Sequence, residues 1–262
     1  IAAHIDTVFP LETDVTVKID GNTYTAPGIG DNTRGMVVLV SLLRALEAAG
    51  IQTQDDILFI GTTGEEGLGD LRGVKALFAD GGPHIDNFIA IDGGKNERLI
   101  HSAVGSHRYR VTVGGPGGHS WGDFGFANPH HALGRAIELF ASRAPEISAS
   151  GPKTSFSVGR IGGGTSINSI AFESWMEVDM RSGDVAKLDE IDATFRNAVR
   201  DGLAAENAAR QDGPELTVEV KKVGERPAGR SDPASPLVQQ AMAAMLSLGL
   251  EPSLRISSTD AN

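Results

Sequence analysis

Three runs within the first hundred residues are almost wholly apolar: Ile1–Ile5 (IAAHI), Asp56–Gly61 (DILFIG) and Phe88–Asp92 (FIAID). A strand without alternation of apolar and polar residues has to be covered on both faces, the condition of a parallel sheet held between helical layers. The stretches Arg34–Ala49 and Leu71–Ala79 fall between these runs and read as helices. The expected first domain is therefore α/β, a mostly parallel sheet with helices on both faces. Polar residues gather where the runs end: His4, the pair Glu65 and Glu66, and Asp92. Open sheets place their sites at the carboxyl ends of their strands. A loop rich in Gly, Pro and Asn, Gly21–Gly30, delivers Asp31 and Asn32 just ahead of the helix that Thr33–Met36 opens.

The pattern changes after Val104. RYRVTV reads as a strand, Asn128–Ser142 as a helix with Asn128 as its cap and Pro129 in its first turn, and TSFSVGRI and AFESWMEVDMR as two further strands. A long amphipathic helix over Lys187–Glu206 and the strand ELTVEVKKV complete the order β-α-β-β-α-β, which is the ferredoxin-like split unit. The expected organisation is a first domain over residues 1–103, an inserted domain over 104–223, and the rest of the first domain over 224–262. The helical stretch Pro236–Leu248 and the strand-like LRIS belong to that last part.

Net charge of -11 and a pI near 5.1 argue against nucleic acid or an anionic membrane surface as the main partner. Cysteine is absent, which removes disulfides, a thiolate nucleophile and thiolate metal ligands. No apolar run reaches the roughly 18 residues of a membrane span, and no leader is visible. A cytoplasmic protein is expected. Secretion stays open because the chain starts inside an apolar run and ends at Asn262 just after SSTDAN, so it reads as the internal portion of a longer protein.

The strand-end residues suit a metal centre. Zinc and similar ions take carboxylate oxygens and neutral imidazole nitrogens at about 2.0–2.2 Å, and a carboxylate cluster without a cation repels itself. Asp6 stands two residues after His4, on the same face of an extended segment, and its carboxylate is expected to accept the proton on the far ring nitrogen of His4 and fix its tautomer. Glu65 and Glu66 follow DILFIG through a TTG turn, where neighbouring side chains diverge: one can hold a metal while the other faces a water as general base. Asp92 ends the third run, and Gly93 and Gly94 let the chain turn away.

HIDTVFP, GIGDNTRG, GTTGEEGLGDLRG and AIDGG, in that order, resemble the four motifs of the dinuclear zinc exopeptidases and deacylases, the family that includes peptidase T, glutamate carboxypeptidase, acetylornithine deacetylase and aminoacylase. The resemblance implies that His4 and Asp92 bind one metal, Glu66 helps bind the other, Asp31 bridges them, Glu65 is the catalytic base and Asp6 orients His4. It implies two zinc ions, with cobalt or manganese possible in their place. It also implies that the inserted domain is a lid through which two subunits form a homodimer.

A second cluster lies in the insert. GGPGGHSWGDFG around His119 resembles the lid motif whose histidine reaches the partner subunit's site and steadies the substrate carbonyl, where it would oppose developing charge. GGGTSINS with Asn168 and VDMRS with Arg181 resemble the lid residues that bind the substrate backbone or terminal carboxylate, and a guanidinium fork suits a carboxylate. Met180 and Trp175, on the same strand, read as packing. The family also needs a late histidine for its second metal, beyond the TDAN motif; His130 and His131 lie in the lid helix and cannot supply it, so that ligand is expected outside this chain. SSTDAN and the extra glycine of AIDGG resemble the peptidase T-like branch. This implies an aminopeptidase-like exopeptidase acting on short peptides; the alternative is a deacylase or desuccinylase acting on an N-acyl amino acid.

Overall fold

In the computed structural model, which describes residues 1–93 and 97–258, the apolar start of the chain forms a strand whose residues are all buried. The elements run β1 (Ala2–His4), β2 (Lys18–Asp20), β3 (Thr23–Thr25), α1 (Arg34–Ala49), β4 (Ile60–Thr62), α2 (Arg72–Leu77), β5 (Arg98–Gly114), β6 (Gly118–His119), α3 (Pro129–Ala149), β7 (Thr154–Gly163), β8 (Ser169–Ile170), β9 (Glu173–Ser182), α4 (Val185–Ala209), β10 (Thr217–Arg226), β11 (Gly229–Arg230), α5 (Pro236–Ser247) and β12 (Ser253–Ser258). They divide into two units, Ile1–His101 with Arg230–Asn262, and Ser102–Gly229.

In the first unit β1 has parallel neighbours on both edges. On one side Ala2, Ala3 and His4 stand opposite Ile60, Gly61 and Thr62 of β4. On the other, the Ala2 N–H donates to the Ile89 carbonyl (2.9 Å) and the Ile91 N–H to the Ala2 carbonyl (2.8 Å). From the DILFIG run, Ile60 and Gly61 enter the ladder as part of β4. The result brings the ends of all three apolar runs side by side. α1 starts one residue after Thr33 and stops at Gly50, whose left-handed backbone (φ 62°) directs its N–H to the Glu47 carbonyl. The stretch ahead of α1 is not wholly loop: β2 and β3 pair as a hairpin across Gly21 and Asn22, with Lys18 opposite Thr25.

The second unit is an antiparallel sheet in the order β10-β5-β9-β7. Burial along β9 alternates strictly, so one face carries Met176, Val178 and Met180 and the other Trp175, Glu177, Asp179 and Arg181. The first face joins Tyr109, Val111 and Val113 of β5 in a core completed by Leu133 and Phe140 of α3 and Ile191 and Phe195 of α4. Each large side chain buried there contributes about 1.5–3 kcal/mol. Asn128 caps α3 through its side-chain oxygen, which accepts the His130 N–H at 2.9 Å, and Asp184 caps α4 in the same way through the Lys187 N–H. α3 continues past Ser142 and through Pro145 to Ala149, with Ala144 and Ile147 buried. On the second face Glu177 joins Arg110 (2.8 Å) and Arg160 (2.9 Å), and the Arg110 guanidinium lies 4.1 Å from the centre of the Trp175 ring.

The chain passes between the units through adjacent segments. In the first unit the Ser231 N–H donates to the His101 carbonyl and the Ser253 N–H to the Glu97 carbonyl, both at 2.7 Å. No helix among the described residues is long and apolar enough to cross a membrane.

Candidate metal centre

His4 closes β1 with its ring fully buried. Its Nδ1 lies 2.9 Å from the Asp6 carbonyl oxygen, which can only accept, so Nδ1 carries a proton. In the neutral ring Nε2 is then a lone pair, and it faces Asp31 Oδ1 at 2.9 Å and Asp92 Oδ1 at 3.7 Å. Lone pair against carboxylate is repulsive unless a proton or a cation sits between them. Burial opposes charge on the ring, but the Asp6 carbonyl and the carboxylates of Asp92, Glu65 and Asp31 together outweigh it and raise the His4 pKa.

Asp6 acts differently from its expected role. Its backbone carbonyl, not its carboxylate, fixes the His4 ring, since Oδ1 stands 3.8 Å from Nδ1. The carboxylate turns instead to the loop after β4: Oδ1 accepts the N–H of Gly64 (2.9 Å) and of Glu65 (3.3 Å), and Oδ2 that of Glu66 (3.0 Å). Three consecutive amides that no ladder satisfies find their acceptor there. Burial pushes the Asp6 carboxyl up, and the N–H groups of Glu66 and Glu65 more than compensate, so it titrates below the usual range. The turn itself depends on Gly64, which has φ 77° and a missing Cβ whose place is filled by the Arg72 side chain.

The same loop presents Glu65, buried, and Glu66, half-buried. Burial and then the nearby Asp31 charge raise the Glu66 pKa. Ligand atoms of His4, Asp31 and Asp92 all lie within 4.8 Å of one another, and so do those of His4, Glu65 and Glu66. Asp31, Glu65, Glu66 and Asp92 line one open cleft with Gly30, Arg34 and Gly93. The donors are hard oxygens and one imidazole whose tautomer is set by its second nitrogen, a set that fits zinc, cobalt or manganese. Arg34 and the buried Asn32 are neighbours of the centre to which the sequence assigns no role.

The residues expected of the lid all lie in the second unit. His119 ends β6 opposite Ser169 of β8. Its Nδ1 accepts the N–H groups of Trp121 (3.2 Å) and Gly122 (3.3 Å), which leaves the proton of the neutral ring on Nε2. Nε2 is 3.4 Å from the Asn168 amide nitrogen, a proximity of two donors and not a hydrogen bond, so the structure places this pair side by side. Arg181 is not joined to either by a hydrogen bond or ion pair; its Nε donates to Asp179 Oδ2 at 2.7 Å, and Asp179 also accepts from Arg108 Nε at 2.9 Å. Met180 is buried in the core and Trp175 stacks under Arg110. His130 and His131 lie in α3, where His130 Nδ1 meets Ser174 Oγ at 2.8 Å. Gly94 and the TDAN segment, residues 259–262, lie outside the described residues.

Residues 1–262 match the sequence model of Peptidase family M20/M25/M40. No curated protein matches the chain. Among solved structures, the chain is similar to aminopeptidase PepT from Bacillus cereus, at 23% identity and a TM-score of 0.72, over 100% of this chain and 67% of that one. It is similar to a tripeptidase from Staphylococcus aureus, at 20% identity and a TM-score of 0.70, over 98% of this chain and 66% of that one. An amidase of the hydantoinase/carbamoylase family from Burkholderia vietnamiensis follows at 19% identity and a TM-score of 0.60, over 90% and 66%. At these identities the likeness is one of fold, and the chain spans about two thirds of the length of each of the three.

Proposed function

The chain belongs to peptidase family M20/M25/M40, and from that premise we propose that it hydrolyses an amide bond in short peptides as an aminopeptidase- or tripeptidase-like exopeptidase with two divalent ions. The observation that carries this reading is the buried His4 Nε2 facing the carboxylates of Asp31 and Asp92, an arrangement that asks for a cation. His4, Asp31 and Asp92 would hold one ion, and Asp31 with Glu66 would contribute to the second. Two zinc ions, or cobalt or manganese in their place, would supply Lewis acidity toward a water and the scissile carbonyl.

Glu65 takes the proton of the attacking water and returns it to the leaving amine. Its place is set through its own N–H, which Asp6 accepts, so the base is positioned by the residue that also orients His4. His119 Nε2–H donates to the substrate oxygen as negative charge builds there. Asn168 receives the substrate backbone and Arg181 its terminal carboxylate.

The sheet order of the second unit supports reading it as the ferredoxin-like lid. His119 would serve the metal centre of a partner subunit in a homodimer formed through these lids. Trp121 and Phe124 in the loop after His119, with Ile167 and Phe172, are all exposed, which supports an interface there.

A zinc-loaded enzyme offered di- and tripeptides beside N-acetyl, N-succinyl and N-carbamoyl amino acids tests the substrate class. Peptides with a free amino terminus should show the higher kcat/KM, because a site built to pair an ammonium leaves its acceptors unsatisfied when an acyl cap replaces it. The opposite ranking assigns the protein to the deacylase reaction instead.

A further inference from the structure

We propose that Asn32 is a positioning residue of the metal centre, its buried amide tying the loop that carries Asp31 to the strand end that carries Asp92. The inference rests on the metal-centre reading above. Asn32 is 1% exposed. Its Nδ2 donates to the Ile91 carbonyl at 2.7 Å, and its Oδ1 accepts the Gly35 N–H at 3.1 Å. Asn32 directly follows Asp31 and Ile91 directly precedes Asp92, so one side chain joins the two backbones that present the carboxylates facing His4.

The centre needs such a strut. His4 is fixed by its place in the β1 ladder, whereas Asp31 comes from a stretch of irregular backbone and Asp92 from a run with only a single bridge to β1. The surroundings leave room for the Asn32 amide. A Cβ on Gly35 would collide with Asn32 Oδ1, and one on Gly93 would stand 3.4 Å from the Gly30 carbonyl, so the two loops meet through glycines.

The amide chemistry is also specific. The Gly35 N–H belongs to the first turn of α1, where no intrahelical acceptor exists, and the Ile91 carbonyl needs a donor. An asparagine supplies both at once without charge. An ionised aspartate would keep the acceptor, lose the donor, and add a negative charge beside those already present. Alanine would supply neither. In both variants Asp31 and Asp92 are free to shift relative to each other, and ligand distances have to hold within about 0.2 Å.

The test is zinc affinity, measured by calorimetry on the metal-free chain, with the visible absorption of the cobalt form as a second readout of ligand geometry. Asn32→Ala and Asn32→Asp should each bind zinc roughly 10- to 100-fold more weakly than wild type, with an altered cobalt spectrum. Leu39→Ala, which opens a cavity on the buried side of α1, should lower thermal stability and leave affinity and spectrum unchanged. Circular dichroism shows which variants are folded; if Asn32→Ala is not, Asn32→Asp decides. Wild-type affinity in a folded Asn32 variant, or an equal loss in Leu39→Ala, overturns the inference. Failure of wild type to bind zinc overturns the metal-centre reading itself, and is told apart from the first outcome by that control.

Discussion

The Asp6 carboxylate accepts the Glu66 N–H at 3.0 Å across 60 residues of sequence, so the strand end that supplies His4 and the loop that supplies both glutamates are held as one piece. Each carboxylate oxygen is used, Oδ1 by Gly64 and Glu65 and Oδ2 by Glu66. Asp6→Asn keeps the backbone carbonyl that orients His4 but turns one acceptor into a donor facing an amide. It should cost about 1–3 kcal/mol of stability and lower kcat by roughly 10- to 100-fold. Urea melts and steady-state rates on the same preparation check it, and a fully active Asp6→Asn enzyme would remove the carboxylate from any role in placing Glu65.

Glu65→Gln isolates the proton transfer. The variant should retain its metal while kcat falls by roughly 10²- to 10⁴-fold, the range a positioned general base supplies. Metal content by atomic absorption, taken beside the rate of amine release, separates this from simple loss of the ions. Retained turnover would assign the base elsewhere.

In the second unit Asp179 makes a prediction about acid. Burial pushes its carboxyl up, but hydrogen bonds and charge from Arg181 and Arg108 prevail and hold it below the usual range. A depressed pKa in the folded state stabilises above the unfolded value of about 3.9, and that contribution is lost as pH falls through the lower folded value. Asp179→Asn should therefore be less stable than wild type at pH 7, by under about 1 kcal/mol because the pair is partly solvated. The difference should shrink as the pH is taken below 4. Denaturant melts at several pH values read it directly, and a gap that stays constant into acid contradicts the assignment.

Arg181→Ala tests the substrate contact. KM should rise most for peptides that end in a free carboxylate and least for their C-terminal amides, with kcat little changed. Equal effects on both series would confine Arg181 to its contact with Asp179.

Apolar runs with a polar residue at the end were the readable part of this chain. His4 and Asp92 end such runs, and the glutamates follow one through a turn, so the pattern marks them without reference to their partners. Asp6 was legible as a residue and not as a role, because the groups its carboxylate accepts are backbone amides, which leave no mark on the sequence. Asn32 has no role that its place in GIGDN reveals; only its depth and the distant Ile91 carbonyl give it a structural purpose. α3 is longer than its pattern suggested because the burial of Ala144 and Ile147 outweighs the missing donor at Pro145.

The close approach of Ser231 to His101 bears on the order in which the protein folds. Completing the first unit requires its late segment to return across the whole of residues 102–229, and closing a loop that long while it is disordered costs entropy that rises with the logarithm of its length. Once the insert has collapsed around its own core, the two chain ends emerge beside each other and that search is already done. Substitutions that slow the insert, such as a smaller residue at Phe195, should thus delay completion of the first unit.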